Sequence, residues 1–226
     1  MKKCIFCAGN RLYVKSQTQY YCTVCKRTWS EQKYQRDCTI IEAFIHDESI
    51  LACSQKYTLS YNTTKEIYHK IRLLLLEHSQ DVYAKQEASF SQYDEYYYLP
   101  KRKRKTTHHI LDAIGIFGML YEPNLIYTLL LPDQFSATKR LMQHDTMELV
   151  EHEEFAHYLQ WHKVAHVEHF EHKLEKFWEY FERFMCHFKG IKKENIIYYL
   201  KEAEFKFNYS SENQKKIILD YWKKNM

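Results

Sequence analysis

The segment SQYDEYYYLPKRKRK, residues 91–105, joins an acidic pair, a run of tyrosines, a proline and five consecutive bases. The tyrosines favour β-structure and Pro100 ends the run, so the segment predicts a strand with Asp94 in its middle. A carboxylate on a central strand must be satisfied by a metal ion, a polar partner or solvent. Asp94 is therefore a candidate metal ligand. The alternative is that Asp94, or its neighbour Glu95, simply faces water at the edge of the strand.

Five bases follow Pro100 without interruption, and they are Lys101, Arg102, Lys103, Arg104 and Lys105. The 226 residues carry a formal net charge of only +4 at pH 7, so this clustering, rather than the total charge, favours nucleic-acid binding. The run predicts contacts with DNA phosphates. A solvated loop is the alternative interpretation.

The most apolar region, AIGIFGMLYEPNLIYTLLLP from Ala113 to Pro132, is interrupted at Glu122, Pro123 and Asn124. The interruption favours two buried strands joined by a turn over a membrane-spanning helix. Downstream, an apolar stripe at helical spacing predicts a helix that ends at Gly190, with a second helix after it. The stripe consists of Leu174, Phe177, Trp178, Phe181 and Phe184. Strands followed by helices predict an α/β (α+β) domain over residues 81–226.

Two cysteine pairs stand near the start of the chain, CIFC with Cys4 and Cys7, and CTVC with Cys22 and Cys25. This spacing is typical of a zinc ribbon, in which four thiolates hold one Zn²⁺ and the metal supplies most of the folding free energy. We assign residues 1–34 to such a ribbon; four incidental buried cysteines are the alternative. The three cysteines without paired spacing, Cys38, Cys53 and Cys186, are expected to be buried apolar residues.

No apolar leader precedes the first cysteine pair, because Met1, Lys2 and Lys3 run directly into it. We therefore expect a cytoplasmic protein that does not contact a membrane. In that compartment, seven cysteines argue for metal binding rather than for a disulfide framework.

Residues 35–80 predict three helical segments, of which the last begins after Ser60 with apolar residues at helical spacing. A short turn before it predicts a helix-turn-helix. The residues expected to reach DNA base edges are Tyr61, Asn62, Thr63, Thr64 and Lys65. A plain helical linker is the alternative.

Seven histidines occur from His144 to His172. His162, His166 and His169 would share one face of a helix at a spacing that can ligate a transition metal. A histidine-rich segment produces such spacing by coincidence, so an exposed or structural role is the favoured interpretation.

In the order of its segments, the chain resembles a family of small bacterial insertion-sequence transposases. The segments that carry the resemblance are the cysteine ribbon, the segment ending HKIRLLL, DEYYYLPKRKRK, EFAHYL and LEKFWEYFERFMCHFKGIKKENIIYYLKEAEFKFN. These transposases join a zinc ribbon to a ribonuclease-H-like catalytic domain of the DDE type. The resemblance covers nearly the whole chain. Its specific parts are the DEYYYLPKRKRK element and the tail that begins LEKFW.

The resemblance implies that Asp94 is the first catalytic aspartate and Glu175 the glutamate of an E-x-F-W motif. His172 stands where many relatives have an asparagine that can serve as the third position of the acidic triad. Glu153, five residues before Tyr158, stands in the place of the second aspartate. Its longer side chain and its short separation from Glu175 both depart from the pattern.

The resemblance also implies Mg²⁺ or Mn²⁺ at Asp94, Glu153 and Glu175, double-stranded DNA as the substrate, and a homo-oligomer on that DNA. We therefore expect a transposase that binds element ends and then cleaves and transfers DNA strands. The two departures leave open a transposase-derived DNA-binding protein without catalysis. A zinc-ribbon transcription regulator with an unrelated carboxy-terminal domain is the third possibility, against which the LEKFW tail argues.

Overall fold

The structure, a computed structural model, describes residues 2–86, 91–105, 107–121, 124–133 and 173–226. Within these ranges the chain is a mixed α/β protein with six α-helices and two antiparallel three-stranded sheets. The α/β class expected from the sequence is confirmed. The residues form two compact units, one of residues 1–81 with 209–226 and the other of residues 82–208.

The first unit begins with a small sheet of three strands, β1 (Leu12–Val14), β2 (Gln19–Cys22) and β3 (Thr28–Ser30), in the order β1-β2-β3. Trp29, in the middle of β3, is buried. Its ring lies edge-on to Phe6 at 5.9 Å and stacks on Tyr20 at 5.6 Å, measured between ring centroids. Trp29 and two buried cysteines, Cys4 and Cys22, form the small apolar core of this module, and partly buried side chains pack against it.

The helices of the first unit are α1 (Glu31–Ile45), α2 (Ile50–Lys56), the first part of α3 (Tyr61–Ala84) and α6 (Ser211–Lys224). The three helices expected between residues 35 and 80 are therefore present. Helix α1 begins earlier than the sequence suggested because Ser30 caps it, its Oγ accepting from the Lys33 N–H at 3.4 Å. Ser49 caps α2 in the same way, through the Ala52 N–H at 3.1 Å.

The last helix, α6, belongs to the first unit, whereas the sequence division placed it with residues 81–226. It packs against α1, with Ile218 and Trp222 buried. Lys215 on α6 forms an ion pair with Glu42 on α1. Amphipathic spacing shows that α6 has an apolar face but does not show which partner covers it, so this assignment required the structure.

The second unit contains a sheet of β4 (Gln92–Tyr98), β5 (Ile114–Tyr121) and β6 (Leu125–Leu130), in the order β4-β5-β6. Asp94 lies in the middle of β4, as expected, and opposite Gly118 in the register. Among the described strands, however, β5 is the central one and β4 lies beside it. Two helices, α4 (Lys173–Met185) and α5 (Ile196–Asn208), pack on this sheet.

Helix α4 ends at Met185, five residues before the glycine expected to end it. The N–H groups of Cys186, His187 and Phe188 bond three residues back, at 3.2 Å each, so the helix tightens before it stops. Gly190 then adopts a φ of 72° in the following turn. Glycine adopts this left-handed conformation without the strain that a side chain adds.

Helix α5 binds strand β6 through buried polar side chains. Glu204 Oε2 accepts from the N–H and the hydroxyl of Thr128 at 2.7 and 2.6 Å, and Lys201 Nζ donates to the Thr128 carbonyl at 2.7 Å. Asn208 bonds both the N–H and the carbonyl of Ile126, at 3.0 and 2.6 Å. These side chains satisfy backbone groups of β6 that another strand would otherwise bond.

Lys201 and Glu204 are also each other's counter-ions, with Nζ and Oε2 2.8 Å apart and side chains only 2% and 6% exposed. Burial lowers the pKa of Lys201, and the neighbouring carboxylate opposes that shift. Removing either partner would therefore destabilise the fold, because the other would remain as a buried charge without a counter-ion.

Replacing Glu204 with glutamine should leave Lys201 buried without a counter-charge. We expect the free energy of unfolding of the second unit to fall by about 3–5 kcal/mol, measured by urea denaturation. Glu194→Gln is the matched control, because Glu194 is 68% exposed and 3.9 Å from Lys192. That change should cost less than about 1 kcal/mol, and equal losses in the two variants would contradict the assignment.

Candidate functional site

The two cysteine pairs lie on tight turns of the same design. The Ala8 N–H donates to the Cys4 carbonyl and the Lys26 N–H to the Cys22 carbonyl, both at 2.9 Å. Ala8 and Lys26 each follow the second cysteine of their pair and adopt φ values of 56° and 61°. The repeated left-handed residue turns the chain back after each pair, so that the pairs face one another.

The four cysteine Sγ atoms all lie within 4.8 Å of one another. Two of the separations, Cys4 to Cys25 and Cys7 to Cys22, are 3.6 Å. A tetrahedral zinc ion with Zn–S bonds of about 2.3 Å requires sulfur atoms about 3.8 Å apart. The arrangement can therefore hold a metal ion such as zinc, as the spacing predicted.

Cys4 and Cys22 differ in their readiness to ionise. Burial raises the pKa of Cys4 to about 12, whereas a hydrogen bond from the Cys25 backbone lowers the pKa of Cys22 to about 7. A bound divalent cation would supply the charge that lets all four act as thiolates.

The three remaining cysteines differ in exposure. Cys53 is buried, as expected, and Cys38 is half-buried. Cys186 is exposed, so the expectation of burial was wrong for this residue. It follows the last residue of α4, where its Sγ donates to the Glu182 carbonyl at 3.1 Å.

We expect the purified, reduced protein to contain one zinc ion per chain, measured by elemental analysis. Cys22→Ser should lose that zinc, because three thiolates and a hydroxyl bind it much more weakly. Cys186→Ser should keep it, since Cys186 is exposed and is not one of the four converging cysteines. Wild-type protein without zinc would contradict the assignment.

In the second unit, strand alternation decides which acidic residue faces the helices. The indole Nε1 of Trp178, on α4, donates to Asp94 Oδ2 at 2.8 Å. Glu95 points to the opposite face of the sheet, where its Oε2 accepts from the Tyr97 hydroxyl at 3.3 Å. Asp94, rather than Glu95, is thus the carboxylate that faces α4.

Helix α4 follows the direction of strand β4. Trp178 stacks on Tyr96 with ring centroids 4.9 Å apart and planes 11° apart, and Phe181, further along the helix, contacts Tyr98 at 5.3 Å. Glu175 precedes Trp178 by three residues, so it lies on the same helix face, about 4.5 Å nearer the helix start. Trp178 also reaches toward the start of the strand, because it stacks on Tyr96 and bonds to Asp94, two residues earlier in β4. The Glu175 side chain is half-buried.

Asp94 lies on the strand, and Glu175 on the first turn of the helix, that the Trp178 hydrogen bond joins. Carboxylate oxygens are the ligands that Mg²⁺ and Mn²⁺ prefer, so this pair fits such an ion chemically. Glu153, His172 and the histidine set at 162, 166 and 169 lie outside the described residues. Their part in a shared metal site stays a prediction.

Two bases of the run after Pro100, Lys103 and Arg104, form hydrogen bonds within the second unit. Lys103 Nζ donates to Asp112 Oδ2 at 3.0 Å. Arg104 donates through Nε to the Leu99 carbonyl at 2.6 Å and through Nη2 to Glu182 on α4, and Glu182 also accepts from the Tyr96 hydroxyl. The side chains of Lys101 and Arg102 are exposed.

Asp94 and the bases are close in sequence but separated in space. Strand β4 continues for four residues beyond Asp94, which carries the chain roughly 13 Å away before the basic turn begins. Arg104 and Glu182 hold that turn against α4. The carboxylate and the exposed bases therefore occupy different places along one surface of the unit.

In the first unit, residues 57–60 join α2 to α3, and Thr58 adopts a φ of 53° in this turn. At the start of α3, Tyr61, Asn62 and Lys65 are exposed and Thr63 is half-buried. Thr64 is buried, and its hydroxyl donates to the Ser60 carbonyl at 3.0 Å. The exposed residues are placed to contact a partner, but DNA contact stays a prediction.

A groove of about 540 Å³ in the first unit was not anticipated from the sequence. Lys33 and Arg36 from α1 and Lys70 from α3 line it. Lys70 Nζ lies 4.3 Å from the Trp222 ring centroid. The spacing of Lys33 and Arg36 at i and i+3 on one helix face was the only sequence signal for this cluster.

Comparison with models of protein families, with curated proteins and with solved structures found no match to this chain. In the part of the chain that the structure describes, none of the helices combines the length and the apolar character needed to cross a membrane.

Proposed function

We propose that this protein is an insertion-sequence transposase that binds double-stranded DNA and cleaves and transfers its strands with divalent metal ions. The observation that supports the proposal is that Asp94 lies on β4 and Glu175 on α4, the strand and the helix that the Trp178 hydrogen bond joins. A ribonuclease-H-like arrangement, in which a strand aspartate and a helix glutamate share metal ions, accounts for this placement.

The two candidate metal sites differ in their ligand chemistry, and this supports different roles for their metal ions. Four sulfur ligands in the first unit suit a structural zinc ion, while carboxylates in the second suit Mg²⁺ or Mn²⁺. When bound, such ions activate a water molecule or a 3′-hydroxyl and stabilise the leaving oxygen of a DNA phosphate. Asp94 and Glu175 hold the ions, with Glu153 as the proposed third ligand.

The exposed bases Lys101 and Arg102 bind DNA phosphates in this proposal. Because β4 places them roughly 13 Å or more from Asp94, they contact the duplex about four base pairs from the cleaved phosphate, at about 3.4 Å per base pair. The α3 residues Tyr61, Asn62, Thr63 and Lys65 read base edges as part of a helix-turn-helix. Because an element has two ends, we propose that a homo-oligomer brings two such sites together.

Asp94→Asn should abolish nicking of the element's end in the presence of Mg²⁺ or Mn²⁺, because the amide is a poorer ligand for these ions. DNA binding should be retained or slightly stronger, since one negative charge near the phosphates is lost. Glu95→Gln is the control, because Glu95 faces the other side of the sheet and should leave nicking intact. Wild-type protein that binds DNA without nicking it would identify a transposase-derived DNA-binding protein.

DNA affinity should fall steeply with salt. Neutralising both Lys101 and Arg102 with glutamine should reduce the slope of log affinity against log salt concentration by up to about 2, at about 0.9 per phosphate contact. Lys103→Gln should change it less, because Lys103 already pairs with Asp112. Fluorescence anisotropy with labelled duplex gives the slopes, and an unchanged slope in the double variant would make the run a solvated loop.

Substitution of Asn62 or Lys65 should instead alter sequence preference, because side chains at the start of a recognition helix reach base edges. Binding selection from a randomised duplex pool measures this. The same preference in variant and wild-type protein would remove the helix-turn-helix assignment.

A further inference from the structure

Trp178 uses the single hydrogen-bond donor of its side chain on a carboxylate. Its indole is fully buried, and Nε1 lies 2.8 Å from Asp94 Oδ2. A buried donor bonded to an ionised acceptor is among the stronger hydrogen bonds in a protein. The buried indole nitrogens of Trp29 and Trp222, by contrast, have no hydrogen-bond partner among the described residues. Burial of an indole therefore does not by itself secure such a partner in this chain.

The indole is held in place by its neighbours. Tyr96 stacks on one of its faces, and Phe177 lies 5.0 Å away, measured between ring centroids. Gly118, the register partner of Asp94, provides the space for the ring on strand β5. A Cβ at Gly118 would lie 2.6 Å from Trp178 Cζ2, closer than non-bonded carbon atoms approach, and its contact with Leu174 Cδ2 would be tight at 3.1 Å.

A neutral donor is well suited to a carboxylate that must also bind a cation. An arginine or lysine in the place of Trp178 would offset the negative charge of Asp94 and compete with the metal ion. The indole N–H fixes the orientation of the carboxylate and adds no positive charge. Hydrogen bonds of this kind to a ligand side chain typically change metal affinity 10–100-fold when they are removed.

Trp178 also connects the two proposed ligands to each other. It lies one helical turn after Glu175 on α4 and bonds to Asp94 on β4, so the same ring fixes the helix against the strand. A shift of α4 that breaks the bond from the indole to Asp94 would also move Glu175 relative to Asp94.

We infer that Trp178 is a positioning residue that orients Asp94 and sets its distance from Glu175, and that Gly118 is required to admit its ring. This inference rests on the proposed metal site at Asp94 and Glu175. Trp178 itself contacts neither the metal nor the DNA in this role.

The test is Mn²⁺ affinity of the full-length, zinc-loaded protein, measured by the electron paramagnetic resonance signal of free Mn²⁺. Asp94→Ala defines which part of the binding belongs to this site. Trp178→Phe keeps an aromatic ring but removes the N–H, and should weaken that part by about 10-fold or more. Gly118→Ala, which displaces the ring, should weaken it in the same direction.

Phe184→Leu is the matched control for a merely structural effect. Phe184 is buried on the same helix, six residues after Trp178, and its ring packs against Tyr180 and Phe188 in the same apolar core, so its truncation disturbs that core away from the indole. It should lower the thermal midpoint of unfolding about as much as Trp178→Phe does, while Mn²⁺ affinity stays within about 2-fold of wild type. Equal loss of affinity in the two variants would overturn the positioning role.

A second measurement tests the hydrogen bond without metal. The indole N–H resonance of Trp178, assigned by its absence in Trp178→Phe, should move upfield in Asp94→Ala protein in a ¹⁵N-correlated spectrum. An unmoved resonance would overturn the inference. Wild-type protein that binds Mn²⁺ at Asp94, with unchanged affinity in Trp178→Phe, would overturn it and leave the proposed function intact. Mn²⁺ binding that Asp94→Ala does not reduce would overturn the metal site and the positioning role together.

Discussion

The hydrogen bond from the Trp178 indole to the Asp94 carboxylate is the contact on which the arrangement of the second unit depends. It joins the helix that carries Glu175 to the strand that carries Asp94, inside an apolar core of aromatic rings. A polar bond in such surroundings is directional and costly to break, whereas packing alone tolerates small displacements. The Arg104–Glu182–Tyr96 network acts on the same helix further along. Together they hold α4 at two points along β4, which is the rigidity that a metal site between them would require.

The two candidate metal centres are built in opposite ways. The four cysteines come from two turns that are close in sequence, and each turn is shaped by its own backbone hydrogen bonds and one left-handed residue. The carboxylates Asp94 and Glu175 stand about eighty residues apart on different elements. The first kind of site can form locally once metal is present. The second, which we propose, would form only after β4, β5 and α4 have assembled, so its geometry would respond to changes throughout the core.

Much of the fold followed from local pattern. The tyrosines around Asp94, the interruption at 122–124 and the apolar stripe of α4 predicted strands and helices that the structure contains, and the CxxC spacing predicted a convergent sulfur cluster. Local pattern said less where tertiary contacts intervene. Cys186 is exposed, against expectation, and Lys103 and Arg104 have partners within their own unit that the sequence did not indicate. The bases of this run look alike in the sequence. In the structure their surroundings differ, because Lys103 and Arg104 pair with carboxylates that are distant in the chain.

The sequence by itself determined which elements form and which residue types can bind metal, because periodicity, turn residues and cysteine spacing act over a few residues. Only the tertiary structure decided that Asp94, not Glu95, faces the helix, since this depends on which face of the sheet α4 covers. It alone decided that α6 joins the first unit and that Gly118 lies beneath Trp178. These are contacts between residues far apart in the chain, and no local pattern encodes which distant surface a given apolar face will meet.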